Sequence, residues 1–179
     1  MSAEDKFQAK YSQHLQNLQM LSYDDKNNES LCQNTVYKYY NFDKIVREED
    51  KNSGYTPASP DALIFKGKTI YCVEFKNSFE NHIKDKNIRN KAKNGYEVLS
   101  NIFTKLELKI TDYELIFCVV HKGRKEEDIW SSLKYKQKKR SIQFDLEQYR
   151  GSLFADIFTN DIDFFKGQFI KKIDQNLSC

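Results

Sequence analysis

The chain has 179 residues, 39% hydrophobic and 14% aromatic, with 13 Phe and 11 Tyr. That apolar content excludes a disordered chain despite the 31% charged residues, and the length suits one domain with a real core. A net charge of +3 supplies no global basic field, so any case for nucleic acid rests on local clusters.

No run reaches the length of a membrane-spanning helix. The opening Met1-Ser2-Ala3-Glu4-Asp5 is acidic and lacks an apolar stretch, so no signal peptide is expected. Cys32, Cys72, Cys118 and Cys179 lack metal-finger spacing. Cys72 and Cys118 lie in apolar strand patterns, where free cysteine behaves as a small buried hydrophobe. A reducing, cytoplasmic setting is the expectation.

Phe7, Tyr11, Leu15, Leu18 and Leu21 recur at helical spacing, predicting an amphipathic helix over residues 4–21, with His14 on or beside its apolar stripe. Asn28 reads as the cap of a second helix, with Glu29 in its first turn and Leu31, Thr35, Val36 and Tyr39 on its apolar side. An acidic residue there favours the helix dipole whether or not it does anything else. Lys44-Ile45-Val46-Arg47 reads as a short strand, and residues 51–59 as a turn-rich loop.

The next stretch carries the chemistry. Ser59-Pro60-Asp61-Ala62-Leu63-Ile64-Phe65 and Thr69-Ile70-Tyr71-Cys72-Val73-Glu74-Phe75-Lys76-Asn77 are two apolar runs joined by Lys66-Gly67-Lys68, the pattern of a β-hairpin. Side chains alternate along a strand, so Glu74 and Lys76 share a face roughly 6–7 Å apart, while Tyr71, Val73 and Phe75 face the other way. Asp61, Glu74 and Lys76 then converge at one end of the hairpin. Hard carboxylate oxygens suit Mg²⁺ or Mn²⁺. Such an ion activates water and stabilises charge on a phosphoryl oxygen, and a neighbouring lysine orients the water or neutralises charge.

After the hairpin, Ile88, Ala92, Tyr96, Leu99 and Phe103 line one face of a helix predicted over about residues 83–103. Lys84, Lys86, Arg89, Lys91 and Lys93 are spread around its first half, and Arg89 and Lys93, one turn apart, can reach one phosphate region. Residues 113–120 form the strongest strand, apolar enough to be covered on both faces. A right-handed crossover lays it parallel to the Glu74 strand. A short helix is predicted over residues 125–133. Lys134-Tyr135-Lys136-Gln137-Lys138-Lys139-Arg140 follows, a basic patch with an aromatic inside it, suited to backbone phosphates and a stacked base. Residues 141–146 read as a last strand, and the aromatic segment from Tyr149 to Ile173 as helices broken near Asn160-Asp161.

Pro60-Asp61, twelve intervening residues, then Glu74-Phe75-Lys76 resembles the PD-(D/E)xK nuclease superfamily, over about residues 29–120. The resemblance implies an α/β, restriction-endonuclease-like αβββαβ core with a mixed sheet (about residues 28–121), with an N-terminal helix and a C-terminal helical region (about 147–176), in one domain. It implies a metal-dependent nuclease, an endonuclease, cutting nucleic-acid phosphodiesters. Asp61 and Glu74 are then the metal carboxylates, the Phe75 carbonyl a further ligand, Lys76 the water-positioning lysine and Glu29 the helix glutamate that joins the shell. Arg89, Lys93, Lys134, Lys136, Lys138, Lys139 and Arg140 are the nucleic-acid contacts. DNA is the first substrate expectation, since the opening is most like resolvase-type members, and resolvase-like cutting implies a homodimer. The RecB-type Gln-x-x-x-Tyr helix signature is not met: Tyr96 is present, but Ala92 stands where the Gln belongs. Two alternatives stay open: an RNA endonuclease resembling the viral cap-snatching type, in which His14 would be a Mn²⁺ ligand, and a non-catalytic nucleic-acid- or protein-binding module on the same fold.

Overall fold

The computed structural model describes residues 2–51, 54–123, 142–169 and 179. The first helix, α1 (Ala3–Tyr11), starts in a capping box between Ser2 and Asp5 and buries Ala3, Phe7 and Tyr11. It ends well before the expected residue 21. A 3₁₀ turn at Ser12–His14 leads into strand β1 (Leu15–Asn17) and the one-turn helix α2 (Leu18–Leu21), capped by Asn17. The helical spacing of the leucines thus spans three elements.

The helix expected after Asn28 does not form. Tyr23–Asp24 (β2) and Glu29–Ser30 (β3) make a small antiparallel hairpin, and Asn28 sits at φ +50°, a conformation asparagine tolerates. Strand β4 (Lys38–Asn41) follows, then helix α3 (Phe42–Glu49), where a strand was expected at 44–47. Asn41 accepts from the Lys44 amide and caps α3, and Phe42, Ile45 and Val46 are buried at helical spacing. Four apolar-flanked residues do not distinguish the two periods; the cap does.

The hairpin forms as expected: β5 (Ala62–Lys66) pairs antiparallel with β6 (Thr69–Phe79). Gly67, at φ +59°, takes the first central position of the two-residue turn, which a side chain would strain. Helix α4 (Asp85–Lys105) crosses back to β7 (Glu114–Lys122), which lies parallel to β6. The strand expected at 141–146 is replaced, over the described residues 142–146, by a turn with Phe144 and Asp145 at positive φ. The first of the expected C-terminal helices is instead strand β8 (Asp156–Asp161), parallel to β7. Its buried residues, Ile157, Thr159 and Asp161, alternate strictly with half-exposed neighbours, a strand's period rather than a helix's. Asp161 then caps the final helical segment, Ile162–Phe164 continuing as a π turn over Phe165–Phe169. The helix expected at 125–133 and the basic segment Lys134–Arg140 lie outside the described residues.

The described strands form a mixed six-stranded sheet in the order β1-β4-β5-β6-β7-β8, antiparallel through β6 and parallel from β6 to β8. Helices α1, α3 and α4 cover one face through Phe7, Phe42, Ile45, Ile88 and Phe103. The other face, built on Ile64, Val73, Phe75 and Val120, is covered by Leu18, Leu21, Leu31 and Phe165. The Phe165 ring meets Phe75 edge-on at 5.8 Å. Strand β6 is therefore buried on both sides. Cys72 and Cys118 are free and buried, as expected. Cys32 and Cys179 form a disulfide across 147 residues, a bridge that the expected reducing setting left out. No helix among the described residues is long and apolar enough to cross a membrane.

Candidate functional site

The twelve-residue spacing between Asp61 and Glu74 is a consequence of the hairpin. Lys66 pairs with Thr69 across the two-residue turn and Ala62 pairs with Val73, so one further step sets Asp61 against Glu74. Opposed residues in an antiparallel pair carry their side chains on one face. Asp61 is fixed from three sides. Its carbonyl accepts from the Phe42 amide at 3.0 Å, and its Oδ2 accepts from the Phe75 amide at 2.6 Å. Pro60, just before it, packs on α4 at Gly95, where an added Cβ would lie 2.5 Å from Pro60 Cδ. Helix and motif approach so closely that no side chain fits between them.

Glu74 is wholly buried. The ammonium of Lys91 bridges the two carboxylates, donating to Asp61 Oδ1 at 3.1 Å and Glu74 Oε2 at 2.8 Å. Lys76 Nζ lies 2.6 Å from Glu74 Oε1, near enough for an ion pair but not aligned as a hydrogen bond, so that oxygen accepts none. Asp43, in the first turn of α3, accepts from the Ser59 hydroxyl and adds a third negative charge to the neighbourhood. Burial, then the charge of Glu74, pushes the Asp61 carboxyl up to about 7, against the opposing pull of Lys91 and the Phe75 amide. Burial by itself would lower the Lys91 ammonium, but Glu74, Asp61 and Asp43 outweigh it and hold the charge well above the usual lysine range.

Asp61, Phe75, Lys76 and Asn77 form one wall of an open cleft of about 430 Å³; residues Leu21–Lys26, leading into and through β2, form the other. The β2–β3 hairpin is tied to the sheet across this cleft. Asn27 donates to the Asn77 carbonyl at 3.2 Å, while Asn77 and Lys122 donate to Glu29 Oε2 at 3.2 and 2.8 Å. Glu29, expected on a helix beside a metal, is instead a half-exposed strand residue whose carboxylate is held low first by the Lys122 hydrogen bond and then by Asn77. Its structural work is to pin the hairpin.

Of the expected site residues, Asp61, Glu74 and Lys76 come together and Phe75 lines the same cleft. Arg89 pairs with Asp145 at 2.5 Å, and Lys93 is exposed on α4. Lys134, Lys136, Lys138, Lys139 and Arg140 lie outside the described residues. His14 contacts Glu48 at 2.5 Å. The cation that meets the two carboxylates is Lys91, which helical spacing alone does not single out from its basic neighbours. It lies three residues after buried Ile88 and four before buried Gly95, on the edge of the stripe by which α4 meets the sheet. That placement was the available signal. Asp43 had none, because its helix was read as a strand.

Two carboxylates, one of them with an oxygen that accepts no hydrogen bond, are hard-oxygen groups of the kind that suits Mg²⁺ or Mn²⁺. Among the described residues, no group of three or more His, Cys, Asp or Glu side chains is arranged to hold a metal. The two carboxylates stand with a lysine between them. No protein-family model, no curated protein and no solved structure matches this chain.

Proposed function

We propose that the chain is a metal-dependent nuclease of PD-(D/E)xK type that hydrolyses nucleic-acid phosphodiesters, with DNA as the first substrate class. One observation carries this reading: the oxygens of Asp61 and Glu74 converge on a single cation while Lys76 stands against the same buried carboxylate. Charges are costly to bury, and a purely structural hairpin end has no use for two carboxylates and two ammonium groups packed at a cleft. The strand order supports it too. The Asp61–Glu74 hairpin, followed by a helix and a strand parallel to β6, matches the second half of a restriction-endonuclease-like core, whereas α3 between β4 and β5 departs from its first half.

In this reading Asp61, Glu74 and the Phe75 carbonyl would hold the divalent ion, which supplies Lewis acidity toward a phosphoryl oxygen and toward water. Lys76, on the cleft side of Glu74, orients the attacking water and offsets charge growing on the phosphate. The Phe75 amide holds Asp61 Oδ2 in place, so the carboxylate is presented without further reorganisation. The cleft beneath the β2–β3 hairpin admits the strand. A second reading, a non-catalytic binding module, is favoured by one feature: Lys91 already pairs with both carboxylates.

A cleavage panel separates them. Wild type, Asp61→Ala and Lys76→Ala are presented with single-stranded, double-stranded and branched DNA and with RNA, each with Mg²⁺, Mn²⁺ or EDTA. Metal-dependent cleavage that falls on the order of a hundredfold or more in both variants is the expected result. The preferred substrate assigns DNA or RNA. Folded protein that binds nucleic acid but cuts none of these supports the module. Cleavage unchanged in both variants overturns the nuclease site.

A further inference from the structure

Lys91 is placed where a bound ion would also have to stand. Its ammonium is the shared partner of Asp61 Oδ1 and Glu74 Oε2, at 3.1 and 2.8 Å. Its stem runs from the face of α4 that packs against Pro60, since Gly95 is one turn further along the same face. With its side chain 18% exposed, the ammonium has little water to fall back on. On the opposite side, Glu74 Oε1 is buried and accepts no hydrogen bond, although Lys76 is close. Glu74 therefore has one oxygen hydrogen-bonded by Lys91 and the other ion-paired with Lys76 but accepting no hydrogen bond. Because Lys91 holds one oxygen of each carboxylate, full ligation of an ion by both requires the Lys91 contacts to open.

We infer that Lys91 is a resident counter-cation that competes with the divalent ion for Asp61 and Glu74, so that loading the metal means displacing this side chain. The inference rests on the proposed metal site and adds a role for a residue outside the Asp-Glu-Lys motif. Lys91 keeps the metal-free site folded and sets how tightly an ion is held. It is a positioning residue in this scheme, acting on the carboxylates rather than on substrate.

The test is metal binding, read without any cleavage. MnCl₂ is titrated by calorimetry, and by its effect on thermal unfolding, into wild type, Lys91→Met, Lys91→Arg and the Asp61→Ala/Lys91→Met double variant. The long apolar stem of Met keeps the packing while removing the charge. Without metal, Lys91→Met is expected to melt below wild type. With metal it gains more than wild type does, and its Mn²⁺ dissociation constant tightens on the order of tenfold or more, because a like charge next to the ion is gone. Lys91→Arg keeps wild-type affinity within a few fold, and the double variant loses the response. Should Lys91→Met fail to fold alone, Mn²⁺ present during refolding restores it; a variant that metal does not rescue refutes the competition. Equal affinity in wild type and Lys91→Met also refutes it, while leaving the metal site intact. If no protein in the series responds to Mn²⁺, both the competition and the metal-dependent function are lost.

Discussion

Replacing Gly95 by alanine tests how tightly the motif is locked to α4. In an ordinary helix interior the change gains about 1 kcal/mol, because glycine loses more backbone entropy on folding. Here the new Cβ would lie 2.5 Å from Pro60 Cδ and 3.4 Å from Pro60 Cγ. Carbon atoms rest at about 3.5–4.0 Å, so helix and hairpin must part by roughly 1 Å. Neither side yields cheaply. The proline ring is rigid, and the next residue is held through its carbonyl by Phe42 and through its carboxylate by Phe75. Overpacking of this kind costs about 2–3 kcal/mol, which leaves a net loss of about 1–2 kcal/mol and lowers Tm by roughly 2–8 °C in a domain of this size. The same displacement carries Lys91 away from the carboxylates and so, with the competing ammonium withdrawn, strengthens the Mn²⁺ response. Calorimetric melting of wild type, Gly95→Ala, Pro60→Ala and the double variant reads it directly. Removing the ring restores room for the methyl, so the two changes should couple by at least about 1 kcal/mol. A Gly95→Ala protein as stable as wild type, or more so, refutes the close approach.

Three further outcomes follow from particular contacts. Glu49, 12% exposed, takes hydrogen bonds from Lys10 and Tyr11 on one oxygen and from Lys105 on the other. Burial raises its carboxyl, but these donors outweigh burial and bring it from 4.5 down to about 2. A lowered acid stabilises the fold above about pH 4.5 and loses that contribution as pH falls toward 2. Glu49→Gln should thus cost about 1–2 kcal/mol at pH 7, after discount for the exposed lysines, and less at pH 3; a difference that is constant with pH contradicts the assignment. The Cys32–Cys179 bridge closes a loop of 147 residues, for which chain entropy gives up to about 5 kcal/mol in oxidised protein. Reductant and Cys32→Ser should lower Tm equally and not additively; a wild-type Tm indifferent to reductant would show that the bridge contributes nothing. Glu29→Ala, cut free of Lys122 and Asn77, should leave Mn²⁺ affinity within about twofold, whereas Asp61→Ala abolishes it, a contrast set by which carboxylate is among the ion's ligands. Loss of binding in Glu29→Ala would return Glu29 to the metal shell.

The hairpin was legible in the sequence because its signals are local. Alternation, a glycine at a two-residue turn and a proline at the strand entrance need no partner to be read. The twelve-residue gap follows from that turn alone, and it already sets Asp61 against Glu74. The same holds for α4 and β7, long periodic segments whose boundaries fall within about two residues of expectation. Short segments failed for the opposite reason. Residues 44–47 fit a strand as well as a helix until the Asn41 cap decides, and the leucines at 15, 18 and 21 keep helical spacing while belonging to different elements. The strand β8 was hidden among aromatic residues whose spacing suited either period, and only a free edge on β7 gave the alternating reading somewhere to pair.

What the amino-acid order determined by itself is a β-hairpin presenting Asp61, Glu74 and Lys76 at one end. What only the tertiary structure decided is which cation answers them. Four basic residues crowd the first half of α4, and periodicity alone favours Arg89 and Lys93. The choice of Lys91 depends on how the helix is rotated against the sheet, a rotation that also brings Gly95 against Pro60, far from it in sequence.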